Sequence, residues 1–283
     1  MIETIQNLLT MPIIVQALAI IAILAIGFLT FKFNPLKLEL RAITFTALMV
    51  MLSVVLSIFS LMVPMFGYPS LKIGLSQLPL MMVGLFLGPS WAFVAGLVED
   101  VLELLTASIG FPFFGFTLNK ILIAMIPALW MLLPITKLKQ FKYLPHAMLV
   151  GFWALAMGFV ANINEVKIGK DLIQITLQTK LGIFVMSTVL VGFMILMLTI
   201  ITKQYQRKAY RFSMTDWVMI ILLVELVVNL VLTPIWLQTM YGIPFLLNVA
   251  PRLVKGTVMI QINIILGYFI VNLIERLKKR GVF

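Results

Sequence analysis

The residues able to do chemistry in this chain are charged side chains embedded in apolar sequence. Glu99, Asp100 and Glu103 fall inside one apolar run, Lys120 lies just inside the next, and Glu225, with Asn229 one turn on, sits in a later run. An ionised carboxylate at the centre of a bilayer costs about 2.5–3.5 kcal/mol on insertion scales, so each of these acids requires a partner, a neutral state or a ligand. Glu99 and Glu103 share a helix face at i,i+4 with Asp100 beside it, and Lys120 is the nearest cation by topology. Two readings are open: an internal ion pair that fixes two helices, or the polar wall of a substrate cavity or cation site. Glu225 carries the same two readings.

A second group lies where apolar runs end. Gly110-Phe111-Pro112-Phe113-Phe114-Gly115-Phe116-Thr117-Leu118-Asn119-Lys120 places four Phe among Gly and Pro and closes on Thr, Asn and Lys. Further on come Asn229, Thr233-Pro234-Ile235-Trp236, Tyr241-Gly242, then Pro251-Arg252 and Lys255. An interfacial aromatic belt is the default explanation for such aromatics. The alternative is an outward-facing pocket in which aromatic faces stack a flat ring, amides bond its edge, and Lys72, Arg252 and Lys255 hold carboxylates. Pro251 would open a helix there, adding backbone N–H groups and a dipole that favour an anion.

The elements that position these residues follow from composition. Of 283 residues, 62% are hydrophobic and only 11% charged, with mean hydropathy +1.13. A soluble domain has roughly 45–50% apolar and about 25% charged residues, so the apolar surplus points to an integral membrane protein. A span needs about 20 residues. Nine candidates appear: about Pro12–Phe31, Ala42–Met62, Ser76–Leu87, Pro89–Ala107, Leu118–Leu133, Pro145–Ala161, Leu181–Thr202, Asp216–Thr233 and Asn248–Glu275. The first lacks a basic leader and is expected to persist as a helix, not to be cleaved as a signal. Ser76–Leu87 is too short to cross unaided and is broken by Gly88-Pro89, so it and the next run form either two short spans or a re-entrant hairpin. Either arrangement predicts a pocket beside them.

The net charge of +11 is distributed unevenly. If the nine spans alternate, fourteen Lys and Arg fall on one side, in the segments around Lys32–Arg41, Lys137–Lys142, Lys203–Arg211 and Arg276–Arg280. Six fall on the other: Lys72, Lys167, Lys170, Lys180, Arg252 and Lys255. The positive-inside rule then places the N-terminus outside and the C-terminus in the cytoplasm. The absence of Cys and the single His146 exclude disulfides, thiolate sites and His-built metal or triad sites. No phosphate-binding loop, H-E-x-x-H or G-x-S-x-G occurs, so the chain is read as a non-enzyme that hydrolyses no nucleotide and requires no cofactor. The basic groups lack aromatic interleaving, which argues against nucleic acid.

Leu71-Lys72-Ile73-Gly74-Leu75 leading to Leu78-Pro79, then Gly84, Gly88-Pro89, Gly96, Asp100 and Phe113-Phe114-Gly115-Phe116-Thr117, resembles the substrate-binding S components of energy-coupling factor (ECF) vitamin transporters, in particular the folate type. Asn229, Trp236, Tyr241-Gly242 with Pro244-Phe245, and Pro251-Arg252-Leu253 with Lys255 resemble the same family's later signature. The resemblance implies an all-α polytopic fold with a six-helix core, here joined by about three extra helices. Residues 1–41 would be an added helix and basic loop, 42–136 core helices one to four, 137–212 an inserted helical pair, and 213–283 core helices five and six. It implies a vitamin ligand, most simply folate, contacted by Lys72, Phe113, Phe114, Phe116, Thr117, Asn119, Lys120, Asn229, Trp236, Tyr241, Arg252 and Lys255. It also implies a coupling transmembrane protein and two ATPase subunits in the plasma membrane, with the small-residue pairs Ala42/Thr46 and Ala92/Gly96 as close-contact positions, and release of vitamin by toppling on that module. The residues leave two alternatives open: another vitamin such as pantothenate, or an ion-coupled transporter that uses Glu99, Asp100, Glu103 and Glu225 as a relay.

Overall fold

The computed structural model describes residues 12–65, 68–106, 112–133, 143–162, 165–168, 171–174, 176–205 and 214–279. Lys137, Lys139, Lys142, Arg207, Lys208, Arg211, Arg280 and the Gly110-Phe111 pair lie outside them. Helices are α1 (Pro12–Phe33), α2 (Leu40–Ile58), α3 (Gln77–Leu87), α4 (Pro89–Thr106), α5 (Phe114–Leu132), α6 (Leu144–Asn162), α7 (Leu177–Tyr205), α8 (Met214–Val224), α9 (Thr233–Tyr241) and α10 (Phe245–Lys279). A π-helical stretch, Glu225–Leu232, joins α8 to α9. Among the described residues seven helices are long and apolar enough to cross a membrane: α1, α2, α5, α6, α7, the continuous rod Met214–Tyr241, and α10. The chain is a predominantly helical, multi-pass membrane protein, and helices stand at each of the nine apolar runs.

Four strands lie outside the spans: β1 (Leu61–Met65), β2 (Tyr68–Ile73), β3 (Glu165–Ile168) and β4 (Asp171–Gln174), in the sheet order β2-β1-β3-β4. The second apolar run therefore ends as a helix at Ile58 and continues as a strand, where the sequence reading extended the helix to Met62.

One compact unit comprises Met1–Leu61, Gly74–Leu132 and Val227–Asn248. Its centre is α3, whose Leu78, Leu80, Met81, Met82 and Val83 are buried on all sides among α2, α4 and α5. At 1.5 Å per residue this helix is about 16 Å long, half a hydrocarbon layer, and its middle, residues 78–84, is enclosed by protein. Gly88, at φ +89°, makes the break into α4, which Pro89 begins. A Cβ at Gly84 would collide with the carbonyl oxygen of Ala124, and one at Gly96 would lie 2.5 Å from the Cα of Ile121. Both glycines thus let α5 approach at backbone distance. Helix α1 docks by a narrow stripe, Val15, Ala19, Ile23, Gly27 and Thr30. There the Phe93 ring sits over Gly27, Phe31 meets Phe93 edge-on at 5.6 Å, and Ser90 donates to the carbonyl of Asn34.

The other unit comprises Met62–Ile73, Leu133–Leu226 and Val249–Phe283. Its α6 and α7 are joined through Trp153, which donates from Nε1 to Ser187 Oγ at 3.2 Å and packs on Phe184. Trp217 on α8 is fully buried; its indole covers Gly267 of α10 and donates to the carbonyl of Asn263 at 3.3 Å. Small residues on α10 again mark where a large ring enters.

Replacing Gly96 by Val drives a branched side chain into the backbone of α5 and is expected to destabilise the protein by about 3 kcal/mol. Gly151→Ala, where nothing lies within 4 Å, is expected to leave stability unchanged or slightly raised. Thermal unfolding in detergent distinguishes the two.

Candidate functional site

The acids of α4 meet a cation and three hydroxyls within the first unit. Lys120 Nζ on α5 donates to Glu99 Oε1 at 2.6 Å and also to Glu103 Oε2. The spacing explains the pair, since Gly96 brings the backbone at Lys120 and Ile121 against α4 just before Glu99. Glu99 is 0% and the Lys120 side chain 17% exposed, so the bridge is sheltered from water. Helix α2 contributes Ser53 and Ser57, also at i,i+4. Ser57 donates to Glu103, while Ser53 Oγ lies 2.6 Å from the Ser76 carbonyl and 3.0 Å from Glu99 Oε1. One hydroxyl proton serves one acceptor at a time. Thr117 donates to Asp100 Oδ2 at 2.6 Å. Two carboxylates therefore hold one ammonium, with the Asp100 carboxylate bonded by Thr117 nearby, and Glu99 Oε2 is buried with no hydrogen-bond partner among the described residues. The internal ion-pair reading of Lys120 is what the geometry shows. Ser53 and Ser57 escaped the sequence reading, although two serines at i,i+4 in an apolar run were a readable sign.

A second cluster in this unit joins α5 to α9. Helix α5 begins at Phe114, four residues before the run assigned from sequence, so Phe114–Lys120 is helical and not a loop. Phe113 is buried against Phe116 at 5.7 Å and against Trp236 at 5.9 Å between ring centroids, over the bare face of Gly115. Trp236 Nε1 donates to Asn119 Oδ1 at 3.0 Å, and Asn119 Nδ2 donates to Thr233 Oγ1 at 3.0 Å. Thr233 Oγ1 in turn donates to the Val228 carbonyl at 2.7 Å. Thr233-Pro234-Ile235-Trp236, expected in a loop, instead continues the helical rod. Pro234 lacks an N–H and crowds the carbonyl four residues back, which accounts for the wider π turn just before it. The structure thus brings Phe113, Phe116, Asn119 and Trp236 together as a packed and hydrogen-bonded group. Phe114 remains 41% exposed; Asn229 and Tyr241 are half-buried.

In the second unit, Arg252 on α10 is only 4% exposed. Glu225, buried at the start of the π stretch, lies within Coulombic reach of both Arg252 and Lys255, and Lys255 is also within reach of Arg252 and Lys72. Lys72 is carried by β2 and is half-buried. A Cβ at Gly256 would lie 3.1 Å from Glu225 Oε1 and would strike the Phe152 ring, so the absence of a side chain admits both. Three cations and one carboxylate give this group a formal charge of +2. One element of the expectation is corrected. Helix α10 starts at Phe245 with Pro251 inside it, so Arg252 and Lys255 do not sit at a helix N-terminus and no free backbone amides assist them there.

The small-residue pairs are packed within the chain. Ala92 is fully buried and Gly96 faces Ile121, so this pair serves a contact inside the chain. Ala42 and Thr46 are likewise buried.

No family model matches the chain, and no curated protein matches it. Among solved structures, the crystal structure of FolT bound with folic acid aligns over 83% of this chain and 94% of that one, at 20% identity and a TM-score of 0.47. At that score the likeness assigns neither family nor ligand.

Removing the Lys120 ammonium leaves buried carboxylate charge behind. Lys120→Met is expected to cost about 3–5 kcal/mol, and Lys120→Met with Glu99→Gln less than the single change, with a coupling of about 0.5–3 kcal/mol. A double-mutant cycle of thermal or denaturant unfolding reads the difference.

Proposed function

We propose that this protein is the substrate-binding membrane subunit of a vitamin importer of the ECF type, with folate as its ligand. The observation that supports this reading most directly is the nearly inaccessible Arg252 on α10, with Lys255 one turn on and with Glu225 and, on β2, Lys72 within Coulombic reach of Lys255. A cluster of cations suits a ligand that brings carboxylates, and a buried guanidinium binds a carboxylate with paired donors. Lys72, Arg252 and Lys255 are the proposed carboxylate contacts. For the ring, the contacts Phe113, Phe114, Phe116, Thr117, Asn119, Asn229, Trp236 and Tyr241 rest on the sequence resemblance. Lys120 is omitted, because its ammonium is engaged by Glu99 and Glu103.

The same reading supplies a plasma-membrane location, a six-helix core formed by α2 to α5, the rod Met214–Tyr241 and α10, and additions in α1 and the α6–α7 pair. It also supplies partners on other chains, namely a coupling membrane protein and two ATPase subunits, consistent with the lack of a phosphate-binding loop here. Ala42, Thr46, Ala92 and Gly96 are the close-contact positions that the sequence resemblance gives for that coupling.

The purified chain is expected to bind folate without ATP and in preference to pantothenate, and Arg252→Ala to weaken binding about 10–100-fold through loss of a charge-assisted contact. Equilibrium titration decides; absence of folate binding, or a variant indistinguishable from wild type, overturns the proposal. A second reading, ion-coupled uptake, is favoured by the cluster of three acids on α4, two of which share the Lys120 ammonium of α5. Under that reading uptake would stop with an uncoupler and survive loss of the ATPases, whereas the primary reading requires the reverse.

A further inference from the structure

Helices α6 and α7 are joined at one level and leave a space at another. At the joint Trp153 donates to Ser187 Oγ, its ring meets Phe184 at 5.5 Å between centroids, and the same hydroxyl lies 3.2 Å from Met157 Sδ. Beyond this joint a cavity of about 260 Å³ opens between residues 157–161 of α6 and 177–184 of α7. Its wall is apolar, built chiefly from Met157, Val160, Leu181 and Phe184. Among the described residues that line it, Lys180 is the one charged side chain. Leu181 and Phe184 are themselves exposed, so the cavity opens toward the surroundings of the helix pair and is not sealed as core. In a membrane protein those surroundings are acyl chains.

Lys180 is held at the rim of this space. Its Nζ reaches from the first turn of α7 to the carbonyl of Ala161 in the last turn of α6, at 2.9 Å. An ammonium has three donors, and a carbonyl cancels none of its charge. A cation is therefore fixed over an apolar cavity. The hairpin that follows α6 brings Glu165, Lys167 and Asp171, which marks this end of the pair as the level where the chain leaves the hydrocarbon. A water-soluble anion would leave the apolar wall unused, and a neutral chain would leave the ammonium unused. A molecule with a long apolar chain and an anionic head uses both. We propose that the cavity binds an anionic phospholipid of the surrounding bilayer, with one acyl chain along residues 177–184 and the headgroup phosphate on Lys180. The site is separate from the cation group of α10, and its assignment does not depend on the function proposed above.

Native mass spectrometry of the full chain in dodecyl maltoside, titrated with dioleoylphosphatidylglycerol or dioleoylphosphatidylcholine, reads both parts of the site through the tightest-bound lipid. The two lipids share their acyl chains and differ in net charge. Phosphatidylglycerol is expected to bind about fivefold more tightly, the effect of one lysine near an anionic headgroup. Lys180→Gln is expected to abolish that preference and Lys180→Arg to keep it, which ties the effect to the charge. Ala161→Phe, at an exposed position, fills the cavity while leaving the Ala161 carbonyl in place, and is expected to weaken the binding of both lipids. Equal affinity of the wild type for the two lipids overturns the proposal, since an apolar groove alone would give it. A preference that persists in Lys180→Gln, or a tightest-bound lipid that is unaffected by Ala161→Phe, overturns it as well. Should Lys180→Gln fail to fold, Ala161→Phe decides by the same titration.

Discussion

Helix α5 lies against α3 and α4 at backbone distance, and much of the first unit's chemistry follows from that approach. Two absent side chains permit it, at Gly84 and Gly96. Because Gly96 faces the backbone at Lys120 and Ile121, the ammonium of Lys120 arrives beside Glu99 and Glu103, one and two turns further along α4. The ion pair is a consequence of the packing, and the packing would place unbalanced charge in the membrane without it. The same approach orients Thr117 toward Asp100 and presents Asn119 to Trp236 and Thr233. A hydrocarbon environment makes these contacts obligatory, since water is not there to satisfy them.

The second unit uses a related device. Gly256 and Gly267 on α10 receive Phe152 and Trp217, which fixes the helix that carries Arg252 and Lys255. Both units therefore hold their charged residues on helices located by close contact at glycine. They differ in balance. In the first, negative charge exceeds positive and hydroxyls supply donors; in the second, positive charge exceeds negative and Glu225 offsets part of it.

The added segments also fall into place. Helix α1 uses a stripe of five buried residues and leaves the rest of its surface, Leu24 and Phe28 among it, to lipid. The α6–α7 pair supplies the hairpin whose β3 pairs with β1 in the four-stranded sheet. Neither role was readable from composition: a docking stripe and a lipid face are equally apolar in a membrane helix, so hydropathy does not separate them.

What the sequence determined by itself was the solvent and the spans. An apolar surplus of this size has no other stable outcome, and runs of about 20 apolar residues must be helical where backbone groups find no water. The acids of α4 and their cation were also legible, because charge in such a run demands a partner and Lys120 was the nearest. Helix ends were not. Phe114 and Phe245 start their helices earlier than the Pro and Gly around them suggested, because tertiary contacts stabilise first turns that local propensity leaves undecided. Nor could spacing reveal that Ala92 and Gly96 face inward, that Trp236 donates to Asn119, or that Met65 lies opposite Ile168. Those are pairings between distant segments, chosen by which surfaces pack, and only the tertiary structure decides them.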